Sequence, residues 1–103
     1  MPKAYVILTE AIHDQETMDR YGRESARALV EFGGKPLIVD SNPIVLEGEW
    51  HGNRTVVVEY ESVEAAKAWY ESAAYQETLP LRLAASQCNV VICTGFEMPK
   101  RPA

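Results

Sequence analysis

Trp69, Tyr70, Ser72, Tyr75 and Gln76 crowd one short segment, and Pro80, Leu81 and Arg82 follow directly. Aromatic rings beside one arginine can line an apolar cleft and anchor a carboxylate or enolate, because the rings offer desolvated surface and the guanidinium a charged, forked donor. Trp69, Ser72, Tyr75 and Arg82 are therefore the candidate binding residues. The competing view makes Trp69 core and pairs Arg82 with a nearby acid, Glu77 or Glu71. Glu47 is the candidate proton carrier. If Gly52-Asn53 closes a two-residue hairpin, Trp50 faces Thr55, Glu49 faces Val56 and Glu47 faces Val58. Glu47 then shares a face with Val45, Val56, Val58 and Tyr60, and partial desolvation there is the setting a general base requires. A bulge at Gly48 would break that register, and acids on edge strands also serve simply to block edge pairing. His51, at the hairpin tip, is either a solvated turn residue or, in a twofold dimer, a group reaching the other subunit's cleft.

Other chemistries lack the residues they need. His13 and His51 both fall at turns, with no spacing that seats a structural or catalytic zinc, so no metal is expected. Gly33-Gly34 ends a helix instead of opening one, so no glycine-rich phosphate loop is present and no cofactor is expected. Ser25, Ser62, Ser72 and Ser86 lack the context of a nucleophile elbow. Fifteen acidic against ten basic side chains give a formal charge of -5 and a pI near 5.0, a balance that repels phosphate backbones and anionic lipid heads. Nucleic acid and membrane are excluded as expected partners. The apolar run at 4–8 is far shorter than the roughly 20 residues that cross a bilayer and has no signal-peptide character. The expectation is a cytoplasmic protein with reduced thiols, in which Cys88 and Cys93, five apart on one strand, lie on opposite faces and Cys93 is a small buried hydrophobe.

The elements that position these residues follow from periodicity and punctuation. The run at 4–9 is apolar and β-forming, a first strand ending before His13-Asp14. Asp14 caps a helix in which Met18, Tyr21, Ser25, Leu29 and Phe32 recur at helical spacing until Gly33-Gly34 stops it. Gly22 lies on the same stripe and predicts a close approach of helix to sheet. Residues 36–40 and 44–50 read as one interrupted strand, which two prolines place at a sheet edge. A third strand covers 55–60, and Ser62 caps a second helix from Val63 through Tyr70. Pro80 opens a short turn through Ala84, and 90–94 form the last strand. The chain divides into a single domain at 1–97 and a C-terminal tail at 98–103, whose prolines bar a helix.

The order βαββαβ in 103 residues is that of an α+β, ferredoxin-like sandwich with both helices on one face of a four-stranded antiparallel sheet. Its strands are apolar at consecutive positions, so both sheet faces require cover. The helices supply only one. The other is expected to pack on a second copy, as a homodimer; the alternative is an apolar surface on a monomer.

Over nearly its whole length the chain also resembles the DUF1330 family. The residues that carry the likeness are Val45-Leu46-Glu47-Gly48-Glu49-Trp50, then Val56-Val57-Val58-Glu59-Tyr60, then Ala68-Trp69-Tyr70 with Ser72, Tyr75-Gln76 and Arg82 with Ala84-Ala85. The most specific part is Trp-Tyr-x-Ser-x-x-Tyr-Gln followed by the arginine. The resemblance implies a dimeric α/β barrel, two ferredoxin-like sheets packed face to face, in a superfamily that includes cofactor-independent monooxygenases, muconolactone isomerases and haem-binding proteins. It implies no reaction, since the family is functionally uncharacterised. The leading expectation is a protein that binds a small organic molecule in a cleft between sheet and helices, as a cofactor-independent oxygenase or isomerase. The alternatives are a ligand-sensing or structural dimer without catalysis, and a haem protein using His13 or His51 as axial ligand.

Overall fold

The computed structural model describes residues 2–99. Strand β1 (Ala4–Ile12) leads into helix α1 (Gln15–Glu31), edge strand β2 (Lys35–Asp40) and strand β3 (Arg54–Tyr60). Helices α2 (Val63–Glu71), α3 (Ala73–Gln76) and α4 (Leu79–Ala85) then precede strand β4 (Ser86–Thr94). All three strand pairs are antiparallel, in the order β2-β3-β1-β4, and the helices cover one face. This is the α+β, ferredoxin-like arrangement expected from the sequence.

Local chemistry explains the boundaries. The Asp14 carboxylate accepts from the Thr17 backbone N–H and hydroxyl, which starts α1 and holds the Asp14 pKa below the usual aspartate value. Gly33 ends α1 at φ 75°, a left-handed conformation that suits glycine. Ser62 caps α2 by accepting from Ala65 N–H. The end of β1 is tied to α4 by His13 and Asp14 N–H groups that both donate to the Ala85 carbonyl.

Alternation on β1 sets the two faces of the sheet. Ala4, Val6, Leu8 and Glu10 are buried under the helices beside Tyr60, Val58, Val56 and Arg54 of β3. Tyr5, Ile7 and Thr9 point the other way, with Val57 and Thr55 of β3 and Cys93 and Val91 of β4. That second face has no helix over it, and Val91 remains half exposed. Cys88 and Cys93 do lie on opposite faces, but Cys93 is exposed, because it belongs to the uncovered one.

Residues 44–50 do not continue β2. Val58 and Val56, expected to face Glu47 and Glu49, instead pair with Pro36 and Val39, and the chain between Asp40 and Arg54 is an open loop. Gly52-Asn53 is correspondingly not a hairpin turn; it clamps the loop to the end of β1. Asn53 N–H donates to the Glu10 carbonyl, while its side-chain amide exchanges two hydrogen bonds with the Ile12 backbone. Gly52 (φ 83°) lies so close to the Glu10 backbone that a β-carbon would collide with it. Only the Trp50–Thr55 contact expected from the hairpin is present, as an indole N–H donating to Thr55 Oγ1 at 2.8 Å. Of the tail, Met98 and Pro99 are irregular, and residues 100–103 lie outside the described residues.

A candidate ligand cavity between helix α1 and the sheet

A cavity of about 300 Å³ lies between α1 and the helix-covered face of β1, β2 and β3. Its walls are mainly apolar: Leu8, Leu29, Val56, Val58 and Trp69, with Val30 and Val39 at the exposed rim. Gly22 lines it too. A β-carbon built there meets nothing within 4 Å, so this glycine makes room for the cavity and does not serve the close helix–sheet approach expected from the sequence.

At one end the wall turns polar. Glu10 is only 1% exposed, and its Oε1 accepts from Arg54 Nε at 2.6 Å. Strand register produces this pair, since Glu10 and Arg54 are direct cross-strand partners. Sequence reasoning passed over Glu10 because the first strand was taken to end at Thr9. Extending the inward series Ala4, Val6, Leu8 by one step would have exposed it.

Behind the cavity, Tyr21 Oη and Tyr75 Oη are 2.8 Å apart, and Arg82 Nε donates to Tyr75 Oη at 3.2 Å. Tyr21 lines the cavity, while Tyr75 and Arg82 stand one and two links further back. Burial, reinforced by the neighbouring Tyr75, pushes the Tyr21 pKa well above the ordinary tyrosine value. Burial works against the Arg82 charge, but the Tyr75 and Tyr21 hydroxyls and the Cys88 thiol outweigh it, so the Arg82 pKa rises and the guanidinium persists. Among the described residues no ion pair joins Arg82 to Glu71 or Glu77.

The other expected site residues separate into two groups. Trp69 is on the cavity wall, its ring 4.2 Å from that of Tyr75. Ser72 holds these two rings in place, accepting from Tyr75 N–H and donating to the Trp69 carbonyl, so its hydroxyl is committed to backbone. Glu47 is exposed in the 41–53 loop, where it lines a separate pocket of about 460 Å³ with Ile44, Leu46 and Trp50. His51 is also exposed, its Nδ1 2.9 Å from Thr9 Oγ1 on the uncovered sheet face. Neither reaches the α1 cavity, because the strand that was to carry them is a loop.

A protein-family profile described as a domain of unknown function, DUF1330, matches residues 3–96. The chain belongs to the DUF1330 family. Among solved structures, this DUF1330 chain is similar to a protein of unknown function from Rhodopseudomonas palustris, with a TM-score of 0.80 and 19% identity over 94% of this chain and 85% of that one. It is similar also to SnoaB, a cofactor-independent oxygenase from Streptomyces nogalater, with a TM-score of 0.68 and 8% identity over 95% and 97% of the two chains. A dimeric ferredoxin-like protein of unknown function from Jannaschia sp. CCS1 gives a TM-score of 0.66 and 15% identity over 88% and 97%. At these identities the likeness is one of fold. No curated protein matches the DUF1330 chain in sequence. Among the described residues, no helix is long and apolar enough to cross a membrane.

Proposed function

We propose that this protein binds a small organic molecule in the α1 cavity and acts on it without a cofactor, as an oxygenase or isomerase that begins by removing an acidic proton. The observation that carries the proposal is a mainly apolar void of about 300 Å³ with a buried carboxylate at one end. Apolar walls exclude water from a bound ring system, and a carboxylate at the wall can accept a proton from an enol, phenol or activated C–H. Glu10 takes the role first assigned to Glu47. Arg54 positions it, Trp69 and Tyr21 shape the cavity, and Tyr75 and Arg82 fix Tyr21 from behind. The fold shared with a cofactor-independent oxygenase is compatible with this chemistry.

A ligand-sensing dimer without catalysis needs the cavity but not the Glu10–Arg54 pair, and that pair favours the enzymatic reading. We further propose that the uncovered sheet face, with Ile7, Val57 and Val91, packs on a second copy; the dimeric neighbour supports this. Two free cysteines suit a reducing cytoplasm.

The test is oxygen uptake and product formation with a panel of enolisable aromatic ketones and naphthols. Glu10→Gln is expected to lower turnover by roughly 10²-fold or more while the variant still binds substrate. Unchanged turnover in a folded Glu10→Gln variant refutes Glu10 as the base. Binding without turnover across the panel supports the sensing alternative.

A further inference from the structure

Half of the twelve large apolar side chains exposed among the described residues belong to two short segments: Ile44, Val45, Leu46 and Trp50 in the 41–53 loop, and Phe96 and Met98 after β4. Both segments fold against the uncovered sheet face, at opposite corners. Trp50 and His51 reach Thr55 and Thr9 at the corner where β1 ends, on the β2 side. At the corner where β1 begins, on the β4 side, Gly95 N–H donates to the Lys3 carbonyl, and an added β-carbon at Gly95 would stand 3.1 Å from the Tyr5 ring.

The loop corner is concave. The loop stands over a floor of Ile38, Asp40 and Thr55, all on the uncovered side, and encloses the pocket of about 460 Å³. The tail corner supplies side chains of matching size. Phe96 is 81% exposed and Met98 78% exposed, and their eleven side-chain atoms, at roughly 30 Å³ each, need about 330 Å³. A chain cannot fill its own socket with them. Tyr5 lies opposite Glu59, which is roughly 13 Å along β3 from Thr55. Phe96 is one residue past Gly95, a step of at most ~3.6 Å, and its side chain is too short to close the gap.

A stable dimer buries about 800 Å² per partner. Four strands at about 4.8 Å spacing, by the seven residues of β3 at about 3.3 Å each, cover only roughly 440 Å². Sheet-to-sheet contact thus leaves nearly half of the area to be found, and the two corner segments are the apolar surface beside it. Packed sheets run with strands aligned or crossed near 90°. Crossed packing about a twofold axis lying diagonally between the sheets sets each loop corner on the tail corner of the other copy, and symmetry makes the contact twice. Aligned packing sets the loop over Asn89 or Lys35 instead. We infer that the 41–53 loop is a socket for Phe96 of the partner subunit, with Met98 of the partner subunit beside it. Charge agrees: the socket carries Asp40 and Glu47, and the sequence of the tail carries Lys100 and Arg101 against the single acid Glu97. This rests on the uncovered face packing on a second copy, and it names the residues that complete that contact.

The test applies sedimentation equilibrium to the full chain and nuclear Overhauser measurements to dimers mixed from isotope-labelled and unlabelled copies. The expected results are a mass twice the 11.5 kDa of the chain, and intermolecular contacts from the Phe96 ring to the Ile44 and Leu46 methyl groups. Phe96→Ala, at an exposed position outside the protomer's own core, is expected to weaken the dimer at least about 30-fold, because an aromatic anchor is lost twice per dimer. A dimer in which the Ile44 and Leu46 contacts run to Asn89 or Lys35 of the partner subunit, or whose affinity survives Phe96→Ala, overturns the socket and leaves the sheet-to-sheet dimer standing. A monomer at every concentration, or a dimer without intermolecular contacts at Val57 and Val91, overturns both.

Discussion

Gly22→Ala separates two opposed accounts of α1. A glycine inside a helix costs about 1 kcal/mol relative to alanine, because the unfolded chain gives up more freedom and no side chain packs in return. If Gly22 allowed close helix–sheet contact, adding a methyl group would overpack the interface and destabilise the fold by roughly 1–3 kcal/mol. The structure gives the opposite sign, since a β-carbon at this position meets nothing within 4 Å. Gly22→Ala is therefore expected to stabilise the chain by about 1 kcal/mol in urea titration and to raise its Tm by roughly 4–6 °C. The gain comes at the expense of the cavity. A methyl group removes about a tenth of the 300 Å³ void, and Gly22→Leu, adding four carbons at roughly 30 Å³ each, about two-fifths. Gly22→Leu should thus keep the fold and weaken binding of a cavity ligand at least tenfold. A Gly22→Ala variant that loses 0.5 kcal/mol or more (about half the expected gain, with the sign reversed) would refute the open void and restore the close approach.

Arg54→Ala strips Glu10, whose carboxyl is 1% exposed in the unaltered chain, of its partner. The expected cost in chemical denaturation is about 2–4 kcal/mol, less than for a sealed pair because Arg54 is one-fifth exposed, and the double replacement Glu10→Leu with Arg54→Met should recover most of it. Tyr21 and Tyr60, both shifted upward by burial, should escape the ultraviolet tyrosine titration until the chain unfolds. The folded state holds their protons after the unfolded state has released them, so their contribution to stability is complete below about pH 10 and declines above it; stability that stays flat through that range would contradict their burial. Gly52→Ala is expected to cost about 2 kcal/mol or more by combining a positive φ with a collision at the Glu10 backbone, and to loosen the 41–53 loop, measurable as faster amide exchange at Asn53.

Sequence pattern carried the element order, the caps at Asp14 and Ser62 and the one-sided sheet, because each depends on neighbours within a few residues. It also located the segment that supplies Trp69, Tyr75 and Arg82, since aromatic residues at helical spacing next to an arginine are visible without coordinates. The failures share a cause. Gly52-Asn53 satisfies every local rule for a hairpin turn, yet its hydrogen bonds run to Glu10 and Ile12, more than forty residues earlier. A long-range clamp of this kind leaves no trace in local periodicity. Once it was misread, the register that placed Glu47 opposite Val58 followed, whereas Val58 pairs with Pro36 and Glu47 is exposed in the loop.

Glu10 shows what that clamp achieves. The Asn53 amide holds the last residues of β1 in extended form past Thr9, keeping alternation going long enough to turn the Glu10 carboxyl under α1. Arg54, the next residue after Asn53, then begins β3 directly opposite and donates to that carboxylate. One short segment, Gly52-Asn53-Arg54, thus closes the loop, sets the β1–β3 register and supplies the cation that engages Glu10 in an otherwise apolar wall. Loop and cavity are coupled through these three residues. A change at Gly52, well removed from the cavity mouth at Val30 and Val39, should reach the site by displacing Glu10, whereas the same disturbance at Ile44 or Leu46, exposed at the far side of the loop, has no such route.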